Sequence, residues 1–344
     1  MSIFFSKVLT KSKKYVIIYK YNIETRHMFF MNKGKTNYFS GVVFLLLAAF
    51  FWGTAFVAQS DAMANIGPMT FSALRSILGG IILIPIYIFT SKGKAKEPFR
   101  KENIRSTLTA GLVCGIIMFF AMNCQQVGMV HASAGKAAFI TALYIIFVPI
   151  FGLFFKQRPT VAVWIGAVIA LVGFYLLNIT GGEGFGLGFW EILVLICAVC
   201  FTFHILAVDK YGATLNAALL SSMQFIVTGV LSGIFSFIDT AFLDYPALTL
   251  DVLGSVWFNI FYMGLFSCGI AYTLQIVGQK RVPSATASLL MSFESVFAVL
   301  AAWVLLDDAL ETQQLIGCIL IFAAIVLSQI PTDAIPFLKK NKEK

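Results

Sequence analysis

The sequence predicts an all-α integral membrane protein of ten transmembrane helices, arranged as two inverted five-helix repeats. Three observations carry this: an apolar composition, a strict alternation of loop charge, and a self-similarity at a spacing of about 150 residues. Of 344 residues, 59% are hydrophobic and only 12% charged, with a mean hydropathy of +0.88. Soluble domains run at about 25% charged and 45–50% apolar, so a globular, disordered, collagen-like or disulfide-rich secreted chain is excluded.

A bilayer-crossing helix needs about 20 mostly apolar residues. Such stretches fall at 39–59, 68–89, 107–127, 132–155, 161–178, 188–208, 217–238, 254–279, 284–306 and 312–330. Their flanks sort by charge. Before the first span lie Lys7, Lys11, Lys13, Lys14, Lys20, Arg26, Lys33 and Lys35, and between spans two and three lie Lys92, Lys94, Lys96, Arg100, Lys101 and Arg105. Alternate loops then carry Lys156, Arg158, Lys210, Lys280 and Arg281, and the tail carries Lys339, Lys340, Lys342 and Lys344. The intervening loops hold Asp61, Glu183, Asp239, Asp244, Asp251, Asp307, Asp308 and Glu311 instead. The positive-inside rule puts both termini in the cytoplasm of a multi-pass protein, and the short loops suit a cell inner (plasma) membrane. The net charge of +9 is therefore a topology signal and not a nucleic-acid footprint.

All six cysteines fall inside spans, so they form no secreted disulfide framework, and Cys197-x-x-Cys200 places two small groups on one helix face. Residues 1–38 read as a cytoplasmic N-terminal extension without a signal-peptide cleavage site, Met31 being an ordinary start for the chain. Residues 332–344 read as a basic cytoplasmic tail.

The run from Ser133-Ala134 through Lys156-Gln157-Arg158 to Gly166 matches that from Ser284-Ala285 through Asp307-Asp308 to Gly317. Trp164-Ile165-Gly166-Ala167 sits against Leu315-Ile316-Gly317-Cys318, Gln125 against Gln275, Arg75 against Gln224, and Trp52 against Phe201. Two repeats result, 39–180 and 186–331, joined by the glycine-rich stretch Gly181 to Gly186. An odd number of crossings per repeat makes the second copy enter from the opposite side, an arrangement typical of secondary transporters with a midplane site at the repeat interface.

Several motifs resemble those of the drug/metabolite transporter superfamily, its EamA-type branch in particular. They are Phe51-Trp52-Gly53-Thr54-Ala55-Phe56, Ala73-Leu74-Arg75, Ala134-Gly135-Lys136-Ala137-Ala138-Phe139-Ile140-Thr141 with Tyr144 and Pro149, and Phe293-Glu294-Ser295-Val296-Phe297-Ala298 with Trp303. The resemblance spans residues 36–331 and implies a ten-helix inner-membrane carrier of small organic metabolites, often an exporter, working without ATP hydrolysis. It departs from the family at Ser295, where a Pro is common, and at Gln157, where an acidic residue is common. The first departure implies a straighter span nine.

An ionisable group in the bilayer is costly and should face a cavity or a partner. Arg75, about 10 Å below the outer surface, suits a substrate carboxylate or phosphate clamp, and reads equally as a structural residue or a snorkelling one. Lys136, near the same side, shares that anion or snorkels. Glu294 falls about 15 Å deep, near the midplane, as a candidate proton carrier or counter-charge to a substrate amine. His204 is a candidate proton relay or an interhelical hydrogen-bonder. Softer substrate-binding candidates share helix faces: Trp52 and Phe56 with Gln59, Asn123 with Gln126, Tyr272 with Gln275, and Tyr144 on the Lys136 stripe. A cavity of such aromatics and amides suits an amino-acid-like or amphipathic solute, while ordinary helix packing explains each residue taken singly.

Gly111-x-x-x-Gly115 and Gly229-x-x-x-Gly233 read as close helix contacts, and Pro85 and Pro149 as bends. No Walker A, H-E-x-x-H or G-x-S-x-G sequence occurs, so neither ATP-driven pumping nor familiar hydrolase chemistry is supported, and no metal or cofactor is expected. The expected function is a secondary carrier, with a floppase for a lipid-linked group as the alternative and a membrane-embedded enzyme behind it. The expected partners are a small-molecule substrate and the lipid bilayer, with a homodimer as the protein assembly considered.

Overall fold

The computed structural model describes residues 35–131, 134–178, 188–306 and 311–329. The N-terminal extension before residue 35, the glycine-rich joint and the basic tail lie outside the described residues. What is described is helical, with no strand among the described residues.

Long apolar runs give unbroken helices: α1 (Lys35–Ala62), α2 (Pro68–Thr90) and α3 (Ile104–Gly128). Pro68 opens α2, where its missing N–H is no loss because the first turn has no intrahelical acceptor. Span four is two pieces, α4 (Ala134–Ala142) and α5 (Tyr144–Phe154), parted at Leu143. Next come α6 (Val161–Asn178), α7 (Phe189–Gly212), α8 (Ala217–Phe235) and the short α9 (Phe237–Phe242). Span eight starts as α10 (Leu250–Tyr262), runs through a π-helical stretch at Met263–Ala271, and ends as α11 (Tyr272–Gln279). Span nine is again two pieces, α12 (Ser284–Met291) and α13 (Glu294–Leu306), and α14 (Thr312–Ser328) closes the bundle. Nine of these segments are long and apolar enough to cross a bilayer, and α14, with 17 residues, is the shorter tenth.

Two expectations need correction. Span nine is not the straighter for lacking Pro at Ser295: its helix stops at Met291 and restarts at Glu294. Serine does the work there instead, since the Ser288 and Ser292 hydroxyls bond back to the carbonyls of Ala285 and Leu289 and compete with the helical ladder. Span four is interrupted at Leu143, while Pro149 and Pro85 each lie inside a continuous helix. The first helix begins at Lys35 and not at residue 39.

Packing follows a reciprocal rule. α2 packs on α8 and α6 on α14, each pair joining matched spans of the two halves of the chain. At the first contact a Cβ on Gly80 would meet Ile226, and one on Gly229 would meet Ile77. At the second, Gly166 lies against the Ala324 carbonyl and Gly317 against that of Gly173. Exchanging each residue for its counterpart in the other half returns the same contact. α3 packs on α7 and, in mirror fashion, α1 on span eight; α7 packs on both pieces of span four, and α1 on both pieces of span nine. The expected close contact at Gly111 and Gly115 is present, with α8 lying against them through Met223 and Val227.

The ends of the bundle differ in chemistry. On the acidic face Asp239 of α9 accepts from the Met69 and Thr70 backbone N–H groups and from the Thr70 hydroxyl, at 3.1, 2.7 and 2.6 Å. That caps α2 from the opposite half of the chain. Beside it, Asn259 of α10 donates to the Asp61 carboxylate and the Ala58 carbonyl. On the basic face Gln157 donates to Asp209 and Ser284, Lys280 donates to the Leu215 carbonyl, and Arg281 stacks over Phe44. A carboxylate at position 157 would face that of Asp209, which accounts for an amide there.

Candidate substrate-binding site

Between the halves lies a cavity of about 700 Å³, counting its open mouth, with walls from α1, α2, α3 and span four on one side and α7, span eight and span nine on the other. Both span breaks reach it, through Thr141 and Tyr144 and through Met291 and Glu294.

α1 offers Trp52, Ala55 and Gln59, successive residues of one helical stripe. The Trp52 ring meets Tyr272 edge to face at 4.7 Å, and Tyr272 packs in the same way on Phe225 at 5.0 Å and His204 at 5.9 Å. Tyr272 is thus the hub of an aromatic wall. Arg75 stands beside it, 3% exposed. Its Nη1 donates to Gln59 Oε1 at 2.9 Å and its Nη2 to Gln126 Oε1 at 3.2 Å, with the guanidinium 5.2 Å from the Phe71 ring centre. Among the described residues no carboxylate bonds to it. Two amide dipoles orient this cation but do not neutralise it, and an unpaired buried charge is costly. The snorkelling reading of Arg75 is set aside by its burial.

Glu294 is the first residue of α13, where the helix N-terminus favours negative charge, and it faces the cavity with no hydrogen bond or ion pair described for it. His204, 1% exposed, meets Gln224 Oε1 through Nε2 at 3.0 Å, and while Nε2 donates there Nδ1 is an acceptor without a partner among the described residues. Gln275 donates to Gln279 at 3.0 Å while its own Oε1 has no partner. Tyr144 completes the wall from span four.

The structure separates the other candidates. Asn123 turns away from the cavity, donating to the Phe119 carbonyl and to Ser232 Oγ at 2.7 Å, where it ties α3 to α8. Gln126 sits behind Arg75 as its support and donates onward to Met63 Sδ. The side chains of Lys136 and Phe56 lie outside the described residues. Cavity residues not singled out as binding candidates are Gln59, which shares the Trp52 face, Phe201, the repeat counterpart of Trp52, and Gln125, which donates to Thr141 Oγ1 at 3.2 Å. Ser267 also lines it, and its π-helical setting leaves no spacing signal in the sequence. No group of metal-binding side chains occurs among the described residues, and the six cysteines are free.

The profile of the EamA-like transporter family matches this chain twice, over residues 39–179 and 188–329. The chain belongs to the EamA-like transporter family. Its similarity to individual proteins is lower but runs nearly end to end. An uncharacterized transporter of Archaeoglobus fulgidus is 28% identical over 82% of this chain and 83% of its own length. The uncharacterized transporter YoaV of Bacillus subtilis is 24% identical over 80% and 92%. A protein of Chlamydia muridarum named as an S-adenosylmethionine/S-adenosylhomocysteine transporter is 24% identical over 82% and 91%. A solved crystal structure shares the fold, with a TM-score of 0.68 over 84% of this chain and 96% of that one at 20% identity. As an EamA-like protein the chain is a multi-pass membrane transporter, with transport and not catalysis as its function.

Proposed function

We propose that this EamA-like protein is a secondary carrier, working as an exporter, of a small organic metabolite of the amino-acid or amphipathic kind. The observation that carries the reading is the cavity between the halves, which holds a buried Arg75 and a Glu294 that, among the described residues, have neutral partners alone and no partner respectively. A solute with a carboxylate and an amino group supplies the charges both residues lack. The named activity of the Chlamydia relative, whose substrate carries an amino-acid head, is in keeping with this.

Movement comes from alternating access between inverted repeats, with both termini in the cytoplasm. The reciprocal contacts of α2 with α8 and of α6 with α14 support it, because matched halves can exchange conformations at small cost in energy. Glu294 and His204 are the groups assigned to proton coupling, and Arg75, Tyr144, Trp52, Tyr272 and Gln275 to the substrate. Lys136 and Phe56 are kept as candidates on sequence grounds.

The test is a thermal-stability screen of the purified protein against metabolites at acidic and neutral pH, followed by exchange of a labelled hit across proteoliposomes. A ligand at about 100 times its Kd stabilises the folded state by about 2.7 kcal/mol. Carboxylated hits should be lost in Arg75→Gln, and Glu294→Gln should flatten the pH profile of flux. A screen that yields only lipids or lipid-linked sugars overturns the reading in favour of a floppase; full pH dependence in Glu294→Gln removes that residue from coupling.

A further inference from the structure

The buried polar atoms without partners around the cavity are not mixed at random. Toward the acidic face they are donors: the Arg75 Nε–H and the Trp52 indole N–H. Toward the basic face the lining offers acceptors: Gln275 Oε1 and, while Nε2 donates to Gln224 Oε1, His204 Nδ1; behind the lining the Gln224 amide keeps an unpaired Nε2. Arg75, His204 and Gln275 are respectively 3%, 1% and 1% exposed, so solvent does not serve them from the surface. Glu294 adds carboxylate acceptors from the same wall. A buried donor or acceptor left unsatisfied costs about 1–3 kcal/mol, so several on one wall mark groups awaiting a ligand.

Depth separates the two sets. Arg75 is seven residues below Pro68 and His204 fifteen below Phe189, helix starts on the same face, which puts them about 10 and 22 Å deep at 1.5 Å per residue. The carboxylate and ammonium of one α-amino acid head cannot bridge that gap. The Tyr272 ring packs on Trp52 of one set and on His204 of the other, so it lies between them and suits a flat or apolar body.

Resting on the carrier reading, we infer that the substrate is elongated, with a carboxylate on Arg75 and, at the other end, a terminal –NH2 group donating to His204 Nδ1 and Gln275 Oε1. That group is an amidine, a guanidinium or an amino-substituted heterocycle, since each presents two or more N–H donors in one plane. A far end that only accepts hydrogen bonds leaves both protein atoms unpaired and is rejected. Sites built on hydrogen bonds discriminate in this way far more strongly than apolar pockets do.

The experiment is calorimetric titration of the purified full chain with two matched pairs of probes. S-adenosylhomocysteine is compared with S-inosylhomocysteine, which replaces the amino group by oxygen, and L-arginine with L-norleucine, which lacks far-end donors. The expected result is at least 10-fold tighter binding of the amino-bearing member in a pair that binds. That preference should vanish in Gln275→Leu and in His204→Phe, with an unshifted thermal melt of each ligand-free variant reporting an intact fold. Equal affinity within the pairs, a preference that survives both substitutions, or no binding by any of the four probes overturns the inference. Each of these leaves the carrier reading to the wider metabolite screen, where hits lacking a far-end donor would uphold the carrier and sink the –NH2 end.

Discussion

The second spans of the two halves, α2 and α8, pack against each other and are built alike, yet they differ in charge. α2 carries Arg75, held by Gln59 and Gln126; α8 carries Gln224 at the matched position, held by His204. The glycines that let the two helices touch are reciprocal, and the polar residues one turn away are not. Symmetry therefore belongs to the scaffold, and selectivity to its departures. A carrier with arginine in both places would bury a second charge without a carboxylate, and one with glutamine in both would have no ionic anchor in α2 or α8.

Making the halves alike should have the largest effect. Arg75→Gln is expected to weaken binding of a carboxylated ligand at least 100-fold, with Arg75→Lys in between because ammonium lacks the guanidinium fork, as titration calorimetry would measure. Equal affinity across the three proteins would reduce Arg75 to a structural residue.

A second contrast lies in how the helices are capped. α8 is capped by its own Asn216, which accepts from Ala218 and Leu219, whereas α2 borrows a charged cap, Asp239, from the other half. Asp239→Ala should cost about 2–3 kcal/mol, since three donors lose an ionised acceptor, and Asn216→Ala about 1 kcal/mol. Denaturant titration of the two variants in one detergent would sharpen the comparison; equal losses would mean that the cross-half cap adds nothing.

A smaller effect than at Asp239 is expected at the paired glycines. A Cβ on Gly229 meets the Ile77 backbone N at 2.9 Å, and one on Gly80 meets that of Ile226 at 3.1 Å. Both alanine variants should lose about 1–2 kcal/mol by overpacking, Gly229→Ala the more, as paired thermal melts would show. A stabilised variant of either would mean that the helices part freely.

Much of this was legible because bilayer physics writes in long runs. Hydropathy located the ten spans to within a few residues, and the motifs around Trp52, Arg75 and Glu294 pointed to the family. Helical spacing put Trp52 and Gln59 on one face, and the repeat offset matched Gln224 to Arg75. What stayed hidden is local or relational. An i, i+3 pair such as Asn123 and Gln126 has a shared direction in the sequence, but nothing there says that one will meet Ser232 and the other Arg75. The breaks at Leu143 and after Met291 escaped because each flank is apolar enough to continue a helix, and serine back-bonding carries a weaker signal than proline.

Those breaks bear on how the chain is made. None of α4, α5, α12 and α13, at 9, 11, 8 and 13 residues, is long enough to cross a bilayer alone. An interrupted backbone at membrane depth is tolerated only where protein covers it. The cover for span four comes from α6 and from α7 and α12, the last two synthesised later. During biogenesis the first half therefore has span four only partly covered, and the cover is completed when the ninth span, bearing Glu294, is threaded in. A nascent chain stopped before Ser284 should accordingly be a preferred substrate for membrane quality control, and the first half expressed alone should need its sister half to persist.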